Sequence, residues 1–312
     1  MNSEIDVLIV ADKGDPHGSA VGRSLDELDS TWLRISYGDL TETSITWEPG
    51  SPLDIRRDDS VWTVSKATTV WWRRSGAADT GELGQLEAAL YHDEVHAIVP
   101  AALDSIGVRW VDAPATQWAA GQKLRQLATA SRLGISHPDT LVTGSPDAAR
   151  DWANERTTPI VAKAVSSGFG IAPFVGTVPP EEFARVKHCP TMLQERVDST
   201  ADLRVVTIGD QAISWHRPRR QGRGQTDWRR VDPAGADFRH TERPSVEESA
   251  QSIAAALGLT FSVQDWLEVG DGEVFLEVNP QGQWLFLADA ETTIVPALAA
   301  HLYTGLRGRH GD

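Results

Sequence analysis

The chain has 312 residues, a net charge of −15 and one cysteine, Cys189. So acidic a surface argues against general binding to nucleic acids or membranes, and a single cysteine, which we expect to be a passive thiol, excludes an internal disulfide. There is no run of about 18 apolar residues and no signal-peptide pattern at the N-terminus. We expect a cytoplasmic protein of two domains, or of one domain with insertions.

The first third of the sequence predicts an α/β domain. A buried strand, a helix and a second strand open it in a βαβ pattern, and two hairpin strands follow. The predicted elements are strand 6–12, helix 18–28, strand 31–40, strand 68–76, helix 81–107 and strand 108–114. The glycines after the first strand do not form a GxGxxG fingerprint, so no dinucleotide site is predicted there.

From about residue 115 the pattern mixes helices with strands that pair in hairpins. Helices are predicted at 115–134, 145–155, 179–188, 245–259 and 291–305, and strands at 158–165 and 191–197. Two hairpins complete this part: 202–218, turning at Gly209-Asp210, and 261–280, turning at Asp271-Gly272. A Gly/Ser loop, 166–173, follows the strand 158–165.

The last hairpin carries a set of oxygen-bearing side chains. Asp265 lies on its first strand, and Glu277 and Asn279 lie two residues apart on its second strand. Side chains at alternate positions share one face of a strand, and carboxylate and carbonyl oxygens are the ligands that Mg²⁺ prefers. The alternatives are a salt-bridged strand pair and, for Asn279 before Pro280, ordinary turn chemistry.

Two lysines stand upstream of this hairpin. Lys163 lies in the apolar strand "PIVAKAV", where a lysine calls for an anionic partner, and Lys123 lies on the helix 115–134, where it could also be a surface residue. The loop with Ser167 and Gly168 allows backbone N–H groups to close on phosphate oxygens. Neither a P-loop motif nor the protein-kinase motifs are present.

One segment is strongly basic, although the chain as a whole is acidic. The stretch "HRPRRQGRGQTDWRR" (216–230) contains six arginines among Pro, Gly and Gln: Arg217, Arg219, Arg220, Arg223, Arg229 and Arg230. It is predicted to be a loop. Guanidinium groups in such numbers favour a site for phosphates or acidic side chains, the alternative being a solvated basic loop.

Five motifs from about residue 110 to the end resemble those of ATP-grasp ligases, in the same order. They are "GQKLRQLATASRLGISHPDT", "PIVAKAVSSGFG", "LQERVDSTADLRVVTIGD", "DWR" and "VQDWLEVGDGEVFLEVNPQGQW". Within that superfamily, "WWRRSG" (71–76), "DLRV", "DWR" and "EVNPQGQW" are most similar to the graspetide synthetases, the microviridin-type peptide maturases.

The resemblance implies an α/β ATP-grasp fold in three parts. These would be an N-terminal pre-ATP-grasp domain at 1–112, a central lid subdomain with the phosphate loop at 113–192, and a C-terminal subdomain with the metal site at 193–312.

The resemblance also implies a role for each matching residue. Lys123, Lys163, Ser167 and Gly168 would bind ATP phosphates, and Gln194, Glu195, Arg196 and Val197 would form the adenine hinge. Asp202 would lie near the nucleotide, with Asp198 an equal candidate for the ribose, and Asp265, Glu277 and Asn279 would hold Mg²⁺. Lys163 and Arg229 would act in catalysis, and Arg73, Arg74, Arg204 and Arg229 would bind the substrate. From the residues alone, Asp202 could instead cap or form a salt bridge, and Glu195 could be an ordinary edge-strand residue.

The activity implied is an ADP-forming ligase with ATP and Mg²⁺. Graspetide synthetases activate Asp or Glu side chains of a ribosomal precursor peptide and join them to Ser or Thr hydroxyls or Lys amines. We therefore expect an acidic precursor peptide, leader plus core, as partner, and a dimer or larger homo-oligomer. The alternatives are a ligase for a free amino acid or small carboxylate, and a non-catalytic binding protein on the same scaffold.

Overall fold

The computed structural model describes residues 2–165, 175–219, 234–235 and 237–304. Its strands are β1 (Asn2–Glu4), β2 (Val7–Val10), β3 (Trp32–Ile35), β4 (Ser44–Thr46), β5 (Leu53–Arg57), β6 (Ser60–Val64), β7 (Thr69–Trp72), β8 (Arg109–Val111), β9 (Thr140–Thr143), β10 (Ile160–Lys163), β11 (Val175–Thr177), β12 (Thr191–Glu195), β13 (Ala201–Ile208), β14 (Gln211–Pro218), β15 (Arg239–Thr241), β16 (Phe261–Val269) and β17 (Gly272–Asn279).

The helices are α1 (Pro16–Asp26), α2 (Gln85–Ile106), α3 (Pro114–Ala120), α4 (Lys123–Arg132), α5 (Pro146–Asn154), α6 (Pro244–Leu257) and α7 (Ala290–Thr304), with 3₁₀ segments at Tyr37–Asp39 and Pro180–His188. None of the helices in the described ranges combines the length and the apolar character that a membrane crossing requires.

The N-terminal part contains two sheets. The parallel sheet has the order β3-β2-β7-β8, and a second sheet has the order β1-β6-β5-β4. All four residues of β2 are buried, as expected for a parallel strand that is covered on both faces. The predicted βαβ opening is confirmed, although α1 begins two residues earlier than predicted, because Asp15 caps it and Pro16 starts it.

The predicted helix 115–134 is wrong as a single element. It is two helices, because Gly121 closes α3 and Gln122 takes an extended conformation with ψ at 108°. The break sets Lys123 at the first position of α4. The last hairpin turns at Gly270-Asp271 instead of Asp271-Gly272, because Gly270 adopts a positive φ of 59°.

The middle of the chain forms the antiparallel sheet β11-β10-β12-β9. Its small core includes Ala149 of α5, Phe183 and Val186 of the 3₁₀ segment, and Leu193 of β12. The predicted boundary after residue 192 falls inside β12, and the three domain limits stay predictions.

The C-terminal sheet has the order β15-β14-β13-β16-β17 and is antiparallel throughout. One face packs Leu203, Trp266 and Phe275 against α6 and α4. The other face packs Trp215 and Val263 into a core shared with α7 and the N-terminal sheet, and α1 packs against α7. This second face carries the candidate site at its other end.

Candidate active site

The three predicted metal ligands share one face of the C-terminal sheet. Asp265 pairs directly with Glu277 across β16 and β17, and Val263 pairs with Asn279. The register shifts between Asp265 and Trp266, which is the signature of a β-bulge. The bulge starts directly after Asp265, so it leaves the pair Asp265–Glu277 in register.

Two positively charged side chains, Arg204 and Lys123, pair with these carboxylates. Arg204 lies opposite Asp265 on β13, and its NH1 donates to Asp265 Oδ1 at 2.5 Å. Lys123 Nζ lies 3.2 Å from Glu277 Oε2 and donates to the carbonyl oxygen of Ala164 at 3.1 Å. Lys123 therefore connects the end of β10 with β17. In this conformation Asp265 and Glu277 both form salt bridges, as the alternative reading of these residues predicts.

The donor set fits a hard divalent cation. Asp265, Glu277 and Asn279 offer carboxylate and carboxamide oxygens, the ligands suited to Mg²⁺. Across the described ranges no group of three or more His, Cys, Asp and Glu side chains could hold a metal, so Mg²⁺ here would complete its shell with Asn279, water and phosphate oxygens. Asn279 Oδ1 accepts from the backbone N–H of Gln281 at 3.1 Å, which is the predicted turn chemistry.

A cavity of about 970 Å³ opens beside this face. Its wall includes Lys163 at the end of β10, Asn279 at the end of β17, and the aromatic residues Trp72 and Trp118. Lys163 pairs with Met192 and Val175 in the middle sheet. Lys163 and Asn279, which lie 116 residues apart in the sequence, thus line one cavity.

Three predicted site residues lie outside the described residues: Ser167, Gly168 and Arg229. Their roles stay predictions.

The predicted adenine hinge, residues 194–197, begins within β12 and continues past its end. Gln194 is buried and its Nε2 donates to Thr140 Oγ1 at 2.9 Å, while Glu195 accepts from Thr158 Oγ1 at 2.6 Å. The N–H groups of Glu195 and Arg196 donate to the carbonyl oxygens of Asp139 and Pro159. These bonds fix the chain just before Val197.

Asp202 is buried on the same face, near the start of β13, where it pairs with Arg217 of β14. It accepts from Arg217 NH1 at 3.1 Å and from Arg219 NH2 at 2.5 Å. The salt-bridge alternative for Asp202 therefore describes its side chain in this conformation, and its role toward a nucleotide stays a prediction.

The two predicted peptide-binding arginines differ in their surroundings. Arg74 is exposed and donates to the carbonyl oxygen of Gln281 at 3.1 Å. Arg73 is 1% exposed, and its Nε donates to both carboxylate oxygens of Asp15, at 3.0 and 3.2 Å. Its role in peptide recognition stays a prediction.

Sequence reasoning missed Asp15 and His17. His17 is buried, its Nδ1 lies 3.2 Å from Asp15 Oδ1, and its Nε2 accepts from the backbone N–H groups of Trp284 and Leu285 at 3.1 and 3.3 Å. The only local signal was Asp15 before Pro16, which is typical of a helix start. The contact with Trp284 has no sequence signal, because 267 residues separate the partners.

Burial and charge alter the ionisation of this cluster. Burial alone would raise the pKa of Asp15, but the hydrogen bond with His17, the charge of Arg73 and the N–H of Gly18 lower that pKa below its ordinary value. Burial lowers the pKa of Arg73 to about 10, against the opposing effect of Asp15. Burial also lowers the pKa of His17, which favours the neutral imidazole that the two backbone donors require.

No protein-family model matches the sequence, and no curated protein matches it at a significant level. Solved structures do. The macrocyclase MdnC from Microcystis aeruginosa MRC, bound with the precursor peptide MdnA, is 22% identical over 97% of this chain and 100% of that chain, with a TM-score of 0.82. The chain has the same fold as this macrocyclase.

Two further structures support this assignment. A RiPP-associated ATP-grasp ligase from Chryseobacterium gregarium, in complex with ADP and a leader and core peptide, is 21% identical over 97% of this chain and 96% of that chain, with a TM-score of 0.84. The macrocyclase MdnB from Microcystis aeruginosa MRC is 25% identical over 96% and 99% of the two chains, with a TM-score of 0.75. The predicted ATP-grasp fold is confirmed.

Proposed function

We propose that this protein is an ATP-dependent ligase that matures a ribosomal precursor peptide. It activates Asp or Glu side chains of the peptide as acyl phosphates and joins them to Ser or Thr hydroxyls or Lys amines, which forms macrocyclic esters or amides. ADP and phosphate are the other products.

The observation that supports the proposal is the position of the oxygen-bearing face of β16 and β17. It lies beside a cavity whose wall includes Lys163 and Asn279. Asp265, Glu277 and Asn279 face the same side as Arg204, and Asn279 and Lys163 line the cavity. A triphosphate requires a hard cation and fixed positive side chains of this kind. One solved structure with this fold and nearly the same length holds ADP together with a leader and core peptide.

The chemistry takes place in two steps. A carboxylate oxygen of the peptide attacks the γ-phosphorus of ATP while the bond from that phosphorus to the β-phosphate oxygen breaks, so ADP leaves with the electron pair. A hydroxyl or amine then attacks the acyl carbon, loses its proton, and displaces phosphate. A free carboxylate is a poor acylating agent, and ATP supplies the leaving group.

The residues of the chain contribute position and charge. Lys123 and Lys163 bind phosphate oxygens, and Arg204 orients Asp265 through the hydrogen bond between their side chains. Asp265, Glu277 and Asn279 would hold Mg²⁺, which would supply positive charge against the negative charge that develops on the transferred phosphate. Gln194 to Val197 hold the base, with the segment after Arg196 offering its backbone to the base edge. A structural role alone, as ion pairs between strands, would not account for the cavity beside them.

The peptide partner is supported by structural similarity and by charge. The macrocyclase MdnC has a TM-score of 0.82, whereas a RimK domain protein from Sphaerobacter thermophilus, an ATP-grasp structure that also aligns along 99% of its chain, has a TM-score of 0.60. Arg74 is exposed next to the loop that follows β17, where it can meet an acidic peptide segment on an otherwise acidic protein. These observations favour a peptide over a free amino acid.

The test is a reaction with purified protein, ATP and Mg²⁺. One arm contains a candidate acidic peptide rich in Ser, Thr or Lys, sought among short reading frames beside the gene, and the other contains free amino acids. The proposal predicts ADP release and the loss of one water per bond by mass spectrometry in the peptide arm. ADP release only with free amino acids would replace the peptide by the small-substrate alternative. Nucleotide binding without turnover of any carboxylate would favour the binding protein.

A further inference from the structure

The loop that follows the candidate metal strand, residues 281–285, is held by side chains that come from elsewhere in the chain. Arg73 NH1 donates to the carbonyl oxygens of Gln281 and Gly282 at 3.3 and 3.2 Å. His17 Nε2 accepts from the N–H groups of Trp284 and Leu285. Both ends of this loop are therefore fixed by the N-terminal part of the chain.

Asp15 connects the two holding groups. It pairs with Arg73 Nε at 3.0 Å and with His17 Nδ1 at 3.2 Å. Because His17 Nε2 accepts from two backbone donors, its ring proton must be on Nδ1, where it is donated to Asp15. Asp15, His17 and Arg73 thus form one buried chain of hydrogen bonds, and all three side chains are at least nine-tenths buried.

The loop in turn orients Asn279. The N–H of Gln281 donates to Asn279 Oδ1 at 3.1 Å, while the carbonyl oxygen of the same residue accepts from Arg73 and Arg74. Arg204, which pairs with Asp265, donates to the carbonyl oxygen of Gln283 at 2.7 Å. The position of the loop therefore affects the side chains that face the cation on both β16 and β17.

We propose that Asp15, His17 and Arg73 form a positioning relay that fixes the 281–285 loop and, through it, the Mg²⁺-facing oxygens of Asn279 and Asp265. The inference rests on the proposed function, since it assigns those oxygens to a cation. None of the three relay residues contacts the cation. They act through backbone groups, in the way that hydrogen-bonded partners of metal ligands fix ligand orientation.

Asp15→Asn is the variant that tests the relay most cleanly. Asparagine is as good a helix N-cap as aspartate, so it can still accept from the N–H groups of His17 and Gly18 and keep α1 in place. It removes the charge that holds Arg73. His17→Gln and His17→Leu form a second pair, because only glutamine offers an oxygen to the N–H groups of Trp284 and Leu285.

The measurement is the Mg²⁺ dependence of ADP binding by calorimetry, without any peptide. The Mg²⁺ concentration at half-maximal binding should rise about tenfold or more in Asp15→Asn and His17→Leu, the usual effect of losing a partner of a metal ligand. His17→Gln should lie closer to wild type than His17→Leu. His301→Gln is the matched control, because His301 is a half-buried histidine with an arginine partner outside the loop, Arg109 at 2.9 Å.

Variants that melt at lower temperature but keep the wild-type Mg²⁺ dependence would show a purely structural role and overturn the relay. A shift of equal size in His301→Gln would overturn it as well. Mg²⁺-dependent ADP binding with a shift in Asp15→Asn, but no turnover of any peptide, would refute only the proposed function. Wild-type protein that binds ADP without any need for Mg²⁺ would overturn the relay.

Discussion

Glu277→Gln separates the role of this residue in catalysis from its role in stability. The side chains of Lys123 and Glu277, 3.2 Å apart, are 20% and 31% exposed. A partly exposed ion pair contributes at most about 1 kcal/mol to the free energy of unfolding, which for a chain of this size lowers Tm by roughly 1–2 °C. The neutral isostere keeps the shape of the side chain and should leave the fold intact.

Turnover should respond far more strongly. Loss of a charged oxygen that positions the cation should lower kcat by about 100-fold or more, equivalent to at least about 2.7 kcal/mol of transition-state stabilisation. The assay is ADP release with the acidic peptide, paired with a thermal melt of the same sample. The predicted rise in the activation free energy thus exceeds the predicted loss in the free energy of unfolding.

Glu268→Gln is the matched control on the opposite face of β16. Glu268 accepts from His216 at 3.1 Å and from Arg243 at 2.5 Å, and its side chain is 18% exposed. The control should lower Tm at least as much as Glu277→Gln and leave turnover unchanged. Near-normal turnover in Glu277→Gln, or an equal loss in both variants, would remove Glu277 from the metal site.

Three further predictions concern binding, packing and pH. Lys163→Ala should raise the Kd for ADP about tenfold or more, because a charge-assisted hydrogen bond to phosphate is lost; an unchanged Kd in calorimetry would exclude Lys163 from the phosphate site. Gly282→Ala would place a Cβ 2.5 Å from Val263 Cβ, so thermal melts should show a stability loss of about 1–3 kcal/mol together with reduced turnover, and wild-type values for both would be inconsistent with this contact. Burial lowers the pKa of His301 from 6.5, so the imidazole is protonated at a higher pH in the unfolded chain than in the folded protein. The free energy of unfolding should therefore fall as the pH drops below 6.5. Urea denaturation from about pH 7 to 5 should show a smaller fall in His301→Gln, and identical slopes would mean that His301 is not buried in its neutral form.

The elements that sequence reasoning predicted well are those with local signals. The hairpin β13–β14 turns at Gly209-Asp210 as predicted, because alternating apolar residues flank a turn pair with Gly209 at a positive φ of 59°. The strand that carries Lys163 was predicted from its apolar run. The shared face of Glu277 and Asn279 follows from the alternation of side chains along a strand. The pairing of Asp202 with Arg217 was within reach as well, since the turn fixes that register.

The elements that were missed depend on long-range contacts or on one backbone angle. The break between α3 and α4 results from the extended Gln122, which the alanine-rich helical pattern hides. The contacts of Asp15 join residues 58 positions apart, and those of His17 reach 267 positions. A single sequence has no periodicity at such distances, so these residues could be found only in the folded chain.

The most direct test of the proposed activity is to incubate the purified protein with ATP, Mg²⁺ and a candidate acidic peptide rich in Ser, Thr or Lys, and to follow ADP and peptide mass together. One ADP should form for each water lost from the peptide, and both products should form at least about 100-fold more slowly in Glu277→Gln. ADP formed without any change in peptide mass, or peptide modified without ATP, would contradict the proposed activity.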